Sequence, residues 1–221
     1  MTVQRPPVPS RELFFFRQFL KSPSSVGSIV PTSRAAIRSM LAPIDWSDVR
    51  CVVEYGPGTG VFTRELLARL GPEARLIAID TNPDFTAYLR KAIHDPRLIL
   101  IDGNAVNVET ILAVHGFEKA DFVISGLPFS TVPRAVAHAI MDATARVVRP
   151  GGAFLIYQYS LFVLPMLRAR FARVDLTRAW RCVPPARVFK AWKAPVADAS
   201  VPAHVAPEIE AASHGIVEHA D

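Results

Sequence analysis

The most informative chemistry in this 221-residue chain lies in residues 54–60, which read Glu-Tyr-Gly-Pro-Gly-Thr-Gly. The apolar run Cys51–Val53 precedes them and a helical pattern begins near Val61, which predicts a strand, a glycine-rich turn and a helix start. Such a turn lets a ligand approach the backbone, and the helix offers free N–H groups. The spacing Gly-x-Gly-x-Gly differs from the dinucleotide fingerprint, which has two residues before its last glycine. A turn without any ligand is the alternative, but we expect a nucleotide-like ligand beside Glu54, Gly56, Gly58 and Gly60.

Asp80 ends the next predicted strand, 20 residues after Gly60. An acid at this position can accept hydrogen bonds from both hydroxyls of a ribose. We therefore expect Asp80 to bind the ribose of an adenosine-containing cofactor, and Thr81 and Asn82 after it to belong to the same cofactor site. The pattern alone does not separate a methyl donor from NAD.

Apolar strands alternate with helical patterns through residues 50–159 and position these side chains. The predicted strands are Arg50–Tyr55, Leu76–Asp80, Leu98–Asp102, Asp121–Ser125 and Ala153–Tyr159. The predicted helices are Phe62–Leu70, Asp84–Ile93, Val106–His115 and Pro133–Val148. This alternation is typical of a parallel, doubly wound α/β sheet, which binds ligands at the carboxyl ends of its strands. Arg173–Ala179 and Arg187–Lys193 are expected to add an antiparallel pair.

The charge and the cysteine content indicate the kind of partner and the cellular environment. The net charge is +5, all 25 basic residues precede position 194, and five of the 20 acids follow it. Residues 163–193 hold eight basic residues and one acid, which is suited to nucleic acid or an anionic membrane; an ordinary solvated surface is the alternative. Cys51 and Cys182 have no disulfide-framework spacing, and neither a secretory signal nor a spanning helix is apparent. We therefore expect a reducing, cytoplasmic environment.

The glycine turn with an acid two residues before it resembles motif I of the class I S-adenosylmethionine-dependent methyltransferases. In that class an acid or amide and a small residue after the third strand surround the adenine, and Pro150-Gly151-Gly152 resembles the turn before its fifth strand. The resemblance implies S-adenosyl-L-methionine as cofactor, S-adenosyl-L-homocysteine as product, no metal, and a seven-stranded, doubly wound Rossmann-like methyltransferase fold. A strand-terminal aspartate is otherwise often a turn or helix cap. The residues assigned to the adenine are Asp102, Gly103, Asn104 and Ala105.

Residues 125–129, Ser-Gly-Leu-Pro-Phe, follow the fourth predicted strand, where that class has its motif IV beside the departing methyl group. Methyltransferases that act on base amines often have Asn-Leu-Pro-Tyr or Asp-Pro-Pro-Tyr there, and the polar first residue binds the amine. This chain has Gly126 in place of the amide. We expect Ser125, Gly126 and Leu127 to contact the cofactor, a backbone carbonyl to meet an amine, and Phe129 to face a cation.

Residues 11–21 have helical periodicity, with Ser10 as a candidate cap and Pro23 as a stop. At about 100° per residue, one broad face is apolar and the other is basic. Such an amphipathic helix is suited to the interface of an anionic bilayer, and a helix packed on the core is the alternative. The residues predicted to meet the membrane are Phe15, Phe16, Arg17, Phe19, Leu20 and Lys21.

The segment 26–33, Val-Gly-Ser-Ile-Val-Pro-Thr-Ser, together with the preceding run Phe16–Pro23 and residues 125–129, resembles the bacterial phospholipid N-methyltransferases. The resemblance extends from about Phe14 to Phe189 and includes residues 183–186, Val-Pro-Pro-Ala. It implies methylation of phosphatidylethanolamine to phosphatidylcholine through mono- and dimethyl intermediates. It also implies that residues 1–34 form a membrane helix and a cofactor lid, which contains Ser28, Ile29 and Ser33. Residues 35–193 would then be the methyltransferase domain and 194–221 a disordered acidic tail.

Methyl transfer to an amine is an in-line displacement, so an enzyme chiefly positions the reactants and manages charge. A lipid amine resembles that of lysine, so only ~0.1% of it is neutral at pH 7. A low-dielectric pocket favours the neutral, nucleophilic form. We expect Tyr157 or Tyr159, at the end of the fifth strand, to accept or relay the proton, and Phe129 with one of them to face the methylammonium. Both tyrosines point to the same strand face, and core positions are the alternative.

Two further functions stay open. A ribosomal RNA adenine dimethylase-like enzyme would share the cofactor domain and the amine acceptor, but Gly126, the phenylalanine-rich first helix and the lack of a helical domain after residue 193 oppose it. A non-catalytic membrane- or nucleic-acid-binding protein on this scaffold is opposed by the intact cofactor residues. We expect a monomer that binds phospholipid and an anionic membrane peripherally on its cytoplasmic face, with no nucleic acid partner.

Overall fold

The computed structural model describes residues 34–179 and 186–195. Seven strands form one sheet in the order β3-β2-β1-β4-β5-β7-β6, in which neighbours among the first five are parallel and β7 is antiparallel to both β5 and β6. This confirms the predicted seven-stranded, doubly wound sheet and its terminal antiparallel pair. The strands are β1 (Cys51–Tyr55), β2 (Arg75–Asp80), β3 (Leu98–Asp102), β4 (Ala120–Ser125), β5 (Val148–Gln158), β6 (Arg173–Ala179) and β7 (Ala186–Trp192).

Six α-helices lie in the described residues, and the four predicted ones are present with ends displaced by a few residues. Two were not predicted from the sequence, the first and the last, and the last is a single turn whose first position is Leu164. The helices are α1 (Arg34–Leu41), α2 (Val61–Leu67), α3 (Pro83–Ala92), α4 (Val108–Val114), α5 (Arg134–Val147) and α6 (Leu164–Arg168), and a 3₁₀ turn covers Ala105–Asn107.

Apolar side chains cover both faces of the sheet because successive residues of a strand point to opposite sides. Val53 and Tyr55 of β1 belong to one buried cluster, with α4 and α5, whereas Val52 belongs to the other, with α1 and α2. Every residue of β1 is buried. The central strand is therefore held between two layers of helices, and the turn that follows it has little freedom to move.

The fifth strand begins earlier than predicted. It starts at Val148 rather than Ala153, so residues 150–152 lie within its span as an irregularity and not as a turn before it. Gly152 contacts the carbonyl oxygen of Asp121 so closely that a side chain would not fit. The carboxylate of Asp121 also accepts the amides of Arg50 at 2.8 Å and Cys51 at 2.9 Å. These contacts connect β1, β4 and β5 at the point where the register between β4 and β5 shifts, between the pairs Ala120–Val148 and Phe122–Ala153.

The register brings the carboxyl ends of the parallel strands to one edge. Tyr55 pairs with Ile79 and Ser125, and Asp80 pairs with Asp102. The glycine turn, Asp80 and the Ser125–Phe129 segment therefore start side by side. Within residues 34–179 and 186–195, no helix has the length and apolar character needed to cross a membrane.

Candidate functional site

The turn after β1 has the backbone of a ligand-binding loop. Gly56, Gly58 and Gly60 have φ values of 65°, 52° and 78°, a left-handed conformation that other residues rarely adopt. A Cβ at Gly60 would lie 2.6 Å from Cδ2 of Leu89, whereas a Cβ at Gly58 would have no atom within 4 Å. Packing therefore requires the glycine at position 60. At position 58 the backbone borders open space, where a ligand can approach it.

Arg64, on the first turn of α2, holds this loop from one side. Its Nη1 donates to the carbonyl oxygens of Thr59 at 2.8 Å and Gly60 at 3.0 Å. The amide of Gly56 donates to Ile79 O at 2.9 Å, which ties the other end of the loop to β2. Arg64 was not among the residues predicted from the sequence. Its position four residues after the last glycine, on a predicted helix, was the available signal.

Glu54, the acid of the motif, is fully buried beneath the turn. Its Oε2 accepts a hydrogen bond of 2.8 Å from Oγ1 of Thr63, a residue of α2 that the sequence analysis did not identify. Burial raises the pKa of the Glu54 carboxyl from 4.5 to about 8; the Thr63 hydrogen bond opposes this shift, and the charge of Asp80 reinforces it. The protonated form of Glu54 is therefore the stable one near neutral pH.

Asp80 stands at the end of β2, as predicted, and connects the ends of β1 and β2. Its Oδ1 accepts the amide of Asn82 at 2.9 Å, and the amides of Gly58 and Thr81 also point to the carboxylate. Burial raises the pKa of Asp80, and these three amides partly oppose the shift. The side chain of Asn82 accepts the amide of Asp84 at 3.0 Å and thereby caps α3. The structure thus brings Asp80, Thr81, Asn82 and the glycine turn together.

Of the four residues predicted to surround the adenine, three line a cavity after β3 and the fourth, Ala105, is buried. Asp102, Gly103 and Asn104 line a cavity of about 390 Å³ at the outer edge of the sheet. However, both carboxylate oxygens of Asp102 are bonded to α3, one by Thr86 and the other by Arg90 at 3.2 Å, and these contacts lower its pKa. Asp102 therefore joins α3 to β3 in this structure, and its contact with an adenine stays a prediction.

Asn104 caps the 3₁₀ turn that follows it, because its Oδ1 accepts the amide of Val106 at 3.0 Å. Ala105 is buried in the apolar cluster on the α4 side of the sheet. The two residues thus have local structural roles beside the 390 Å³ cavity, and their contact with an adenine also stays a prediction.

The segment after β4 lies directly against the glycine turn. The amide of Gly126 donates to Tyr55 O at 3.1 Å, and a Cβ at Gly126 would lie 3.4 Å from Gly56 O. Ser125 is fully buried, and its Oγ accepts the amide of Leu127 at 3.1 Å. The Leu127 side chain covers Gly56, where a Cβ would come within 2.9 Å of it. The predicted motif IV segment and the predicted cofactor turn therefore form one continuous surface.

The aromatic residues assigned to catalysis are separated by the sheet. Phe129 is fully buried, with its ring edge-on to Phe154 at 6.5 Å, in the cluster on the α4 and α5 side. Tyr157 and Tyr159 share one strand face, as predicted, but this is the face opposite Phe129, and Tyr157 is edge-on to Phe62 at 6.1 Å. The structure does not bring Phe129 together with either tyrosine. Its buried ring offers no face to a cation in this conformation, and the proton-relay role of the tyrosines stays a prediction.

Gln158 is a polar residue at this edge that the sequence analysis did not assign. It is 7% exposed, and its Nε2 donates to Ser160 O at 2.7 Å, which leaves Oε1 buried without a hydrogen-bond partner among the described residues. Because it is two residues beyond Ile156, its side chain lies on the same face as Phe129. A buried acceptor without a partner destabilises the fold by about 1–3 kcal/mol, so a bound donor at this position would be favourable.

Other predicted residues lie outside the described part of the chain. They are the lid residues Ser28, Ile29 and Ser33, the membrane residues Phe15, Phe16, Arg17, Phe19, Leu20 and Lys21, and most of the tail from residue 194.

The described residues fit a cationic, ribose-containing cofactor. The site combines a backbone that borders open space at Gly58, a carboxylate at Asp80 and a second acid at Glu54. The positive charges of a sulfonium and an α-ammonium group favour the ionised form of nearby acids, and ribose hydroxyls are donors for a carboxylate. Within the described residues, no cluster of three or more potential metal ligands occurs.

Comparison with known proteins identifies related sequences. A family model described as a methyltransferase domain matches residues 52–152. The ornithine lipid N-methyltransferase of Singulisphaera acidiphila is 31% identical over 160 residues, which cover 72% of this chain and 81% of that protein. The ribosomal RNA small subunit methyltransferase A of a Burkholderia species is 33% identical over 113 residues, or 51% of this chain and only 39% of that protein.

Solved structures share the architecture at low sequence identity. The N-methyltransferase NodS of Bradyrhizobium japonicum, in complex with S-adenosylhomocysteine, has a TM-score of 0.62 at 12% identity over 80% of this chain and 96% of that one. The 1,6-didemethyltoxoflavin-N1-methyltransferase of Burkholderia thailandensis has a TM-score of 0.60 at 19% identity over 87% of this chain and 93% of that one. These likenesses establish the fold.

Proposed function

Because the chain belongs to the S-adenosylmethionine-dependent methyltransferases, in the family of the Singulisphaera lipid enzyme, we propose that it methylates the amine of phosphatidylethanolamine at a membrane surface. S-adenosylmethionine is the cofactor, and successive transfers would yield the monomethyl, dimethyl and trimethyl lipids. The observation that carries the proposal is the match to a lipid N-methyltransferase over four fifths of that relative's length. The phospholipid N-methyltransferase motifs of residues 16–33 and 125–129 support phosphatidylethanolamine as the specific lipid.

S-adenosylmethionine, when bound, supplies an electrophilic methyl group on a positively charged sulfur. The chain has to place an amine in line with that methyl group and exclude water. The Ser125–Phe129 segment would do the placing, because it lies against the Gly56 turn and presents backbone rather than a polar side chain at Gly126. The absence of a side chain at Gly126 lets this segment lie against the carbonyl oxygen of Gly56.

Gln158 provides an acceptor for the amine that Gly126 does not. Its Oε1 is buried at the carboxyl end of β5, on the side of the sheet that carries Phe129. An ammonium or amine N–H could donate to this oxygen, which would orient the nitrogen and satisfy an acceptor that is otherwise unpaired. Burial of the nitrogen at such a low-dielectric position favours its neutral, nucleophilic form. The predicted relay through Tyr157 or Tyr159, whose rings lie on the opposite face of the sheet, would require a proton path around the end of β5, with the phenol releasing its own proton as it accepts one.

A membrane setting is part of the same proposal. We expect the segment of residues 11–21 to bind an anionic bilayer through its apolar and basic faces, with the domain at the cytoplasmic surface as a monomer. The described part of β6 and β7 adds positive charge, with Arg173, Arg178, Arg187 and Lys190. We therefore expect methyl transfer to the lipid to depend on anionic lipid in the membrane and to decrease as the salt concentration rises.

The alternative, a ribosomal RNA adenine dimethylase-like enzyme, is supported by weaker matches. The chain spans about two fifths of the Burkholderia ribosomal RNA enzyme, whereas it spans most of the lipid enzyme. Gly126 also lacks the amide that we expect in a base-amine methyltransferase. We therefore keep RNA methylation as an outcome of the experiment below.

The test is label transfer from methyl-labelled S-adenosylmethionine to three acceptors offered separately: phosphatidylethanolamine vesicles, ornithine-lipid vesicles and undermodified small-subunit ribosomal RNA. The expected result is label in mono-, di- and trimethylated phosphatidylethanolamine, and no label with an Asp80→Ala control. Label in ornithine lipid alone would keep a lipid amine and reject the phospholipid headgroup. Label in RNA alone would reject the lipid proposal and favour the alternative.

A further inference from the structure

A cavity of about 400 Å³ lies between α5 and α6 and is not part of the glycine-turn site. Its wall is mixed in character. Leu161, Phe162 and Met166 provide apolar surface. The polar surface comes from Arg134 and His138 of α5 and from Arg170, which lies two residues after the end of α6. A cavity with this combination is suited to an anion that carries a hydrocarbon group.

The cavity adjoins the proposed amine site. Arg134 begins α5, five residues after Phe129 closes the segment that lies against the glycine turn. Leu161 and Phe162 follow the carboxyl end of β5. Since β4 and β5 are parallel neighbours, both segments leave the same edge of the sheet. The cavity therefore extends from that edge along α5, and His138 lies about 6 Å farther down the helix than Arg134.

The polar side of the cavity is organised by Arg170. Its Nε donates to Oδ1 of Asp142 at 2.6 Å, and its Nη1 donates to Met166 O at 3.1 Å. Its Nη2 lies 3.2 Å from Nδ1 of His138. Because a guanidinium can only donate, Nδ1 is the acceptor, so the remaining proton of a neutral His138 is on Nε2. His138 is thus held as a donor in the cavity wall.

Arg134 differs from Arg170 in its charge balance. Asp142 compensates the charge of Arg170, whereas Arg134 is exposed and forms no ion pair with the residues that the structure describes. A guanidinium at the mouth of a cavity, with an imidazole N–H one turn deeper, can bind two oxygens of one phosphate group. The adjacent apolar wall can accommodate the glycerol and the first acyl carbons.

We propose that this cavity binds the phosphodiester of the substrate headgroup through Arg134 and His138. The inference rests on the proposed function, since it assigns the phosphate of the same lipid whose amine would meet Gln158. The short ethanolamine arm then connects the two sites along the edge shared by β4 and β5. Arg134 and His138 would thereby select amine lipids that carry a phosphate over amine lipids that do not.

The first experiment measures binding by calorimetry, with the protein saturated with S-adenosylhomocysteine and dihexanoyl phosphatidylethanolamine kept below its micelle concentration. We expect Arg134→Gln to weaken binding about ten-fold, the effect of a lost hydrogen bond between charged groups. Arg134→Lys should retain part of the affinity. The matched control is Arg168→Gln, which removes the same charge from an exposed α6 position that does not line the cavity, and we expect it to bind like the wild type.

Two titrants identify the ligand. A short-chain alkylamine, which has the amine but no anionic group, should bind equally to the wild type and to Arg134→Gln. Inorganic phosphate should bind more weakly than the phospholipid, because it cannot use Leu161 and Phe162. Equal affinity of wild type and Arg134→Gln for the phospholipid would overturn the inference. So would inorganic phosphate that binds as tightly as the lipid, since the cavity would then be a phosphate site and not a lipid site.

Kinetic measurements distinguish a failure of this inference from a failure of the proposed function. In label transfer to dihexanoyl phosphatidylethanolamine, Arg134→Gln should raise KM about ten-fold and leave kcat within about two-fold, because Arg134 holds the phosphate and does not touch the reacting nitrogen. If the wild type transfers no label to phosphatidylethanolamine but Arg134→Gln still weakens phospholipid binding, the proposed function fails and the cavity assignment stands. If label is transferred and KM is unchanged by Arg134→Gln, the cavity assignment fails alone.

Discussion

Replacement of the buried acid Glu54 by glutamine should make the protein more stable at alkaline pH. Glu54 is 1% exposed, and its carboxyl is bonded to Thr63 Oγ1 at 2.8 Å. Glutamine has nearly the same shape as the protonated acid and keeps a carbonyl oxygen that can accept this bond. It cannot ionise, so it removes the unfavourable burial of a charge without leaving a cavity.

The size and sign of this stability difference follow from the pKa of the Glu54 carboxyl. The carboxyl ionises at about 4.5 in the unfolded chain and at about 8 in the folded protein, so the folded state binds the proton more tightly. Stability is therefore highest below pH 4.5 with respect to this group, falls between about pH 5 and 8, and is constant above that range. A pKa raised from 4.5 to about 8 corresponds to a loss on the order of 5 kcal/mol in the free energy of unfolding. In Glu54→Gln this loss should be absent.

The assay is urea unfolding of the cofactor-free wild type and Glu54→Gln at pH 5, 6, 7, 8 and 9. The two free energies of unfolding should be similar near pH 5 and diverge by several kcal/mol by pH 8 to 9, with the variant more stable. Asp80 has a raised pKa as well, but it is present in both proteins and largely cancels in the difference. Glu73→Gln, at an exposed position, is the matched control and should follow the wild type. Parallel stability curves for wild type and Glu54→Gln would refute the reasoning.

Three other predictions concern the turn, the amine acceptor and the tyrosines. Gly58→Ala should destabilise the fold by only about 1–2 kcal/mol, the strain of a left-handed residue, and should weaken S-adenosylhomocysteine binding. Gly60→Ala should destabilise the fold further, because a Cβ there meets the packed side chain of Leu89. Equal shifts in melting temperature for the two variants would contradict this. Gln158→Leu should change the melting temperature little, since the loss of the unpaired Oε1 offsets the loss of the hydrogen bond from Nε2 to Ser160 O, and should lower kcat/KM for the lipid about ten-fold. Unchanged turnover would exclude Gln158 as the amine acceptor. Tyr157→Phe or Tyr159→Phe should slow methyl transfer at neutral pH, and wild-type turnover in both variants would eliminate the proton relay.

Much of the fold could be predicted from the sequence because its signals are local. The alternation of apolar strands with helical periodicity identified five strands within a few residues of their observed ends, since side-chain direction repeats every two or 3.6 residues whatever lies nearby. The turn at Gly56, Gly58 and Gly60 could also be predicted, because glycine has no side chain and so adopts a left-handed backbone readily whatever its surroundings. Asp80 followed from its place at the end of a strand. The family resemblance then supplied the cofactor.

Other features were decided by tertiary structure. Pro150-Gly151-Gly152 reads as a turn in isolation, but it lies within β5 because Gly152 packs against the backbone of Asp121. Asp102 reads as a ligand-binding acid, but α3 brings Thr86 and Arg90 to both of its carboxylate oxygens. The shared catalytic role predicted for Phe129 and the two tyrosines requires all three rings to lie on one face of the sheet. The structure instead places Phe129 on one face and the tyrosines on the other.

The division has one physical reason. The sequence by itself determined the elements, the glycine turn and the acids at strand ends, because backbone preferences and periodicity act over a few residues. Only the tertiary structure decided which side chains meet, since those contacts join residues far apart in the chain. Glu54 meets Thr63 across a turn, Gln158 is buried without a partner in the described residues, and Arg170 connects α6 to His138 on α5. Each depends on packing between elements, which no local pattern records.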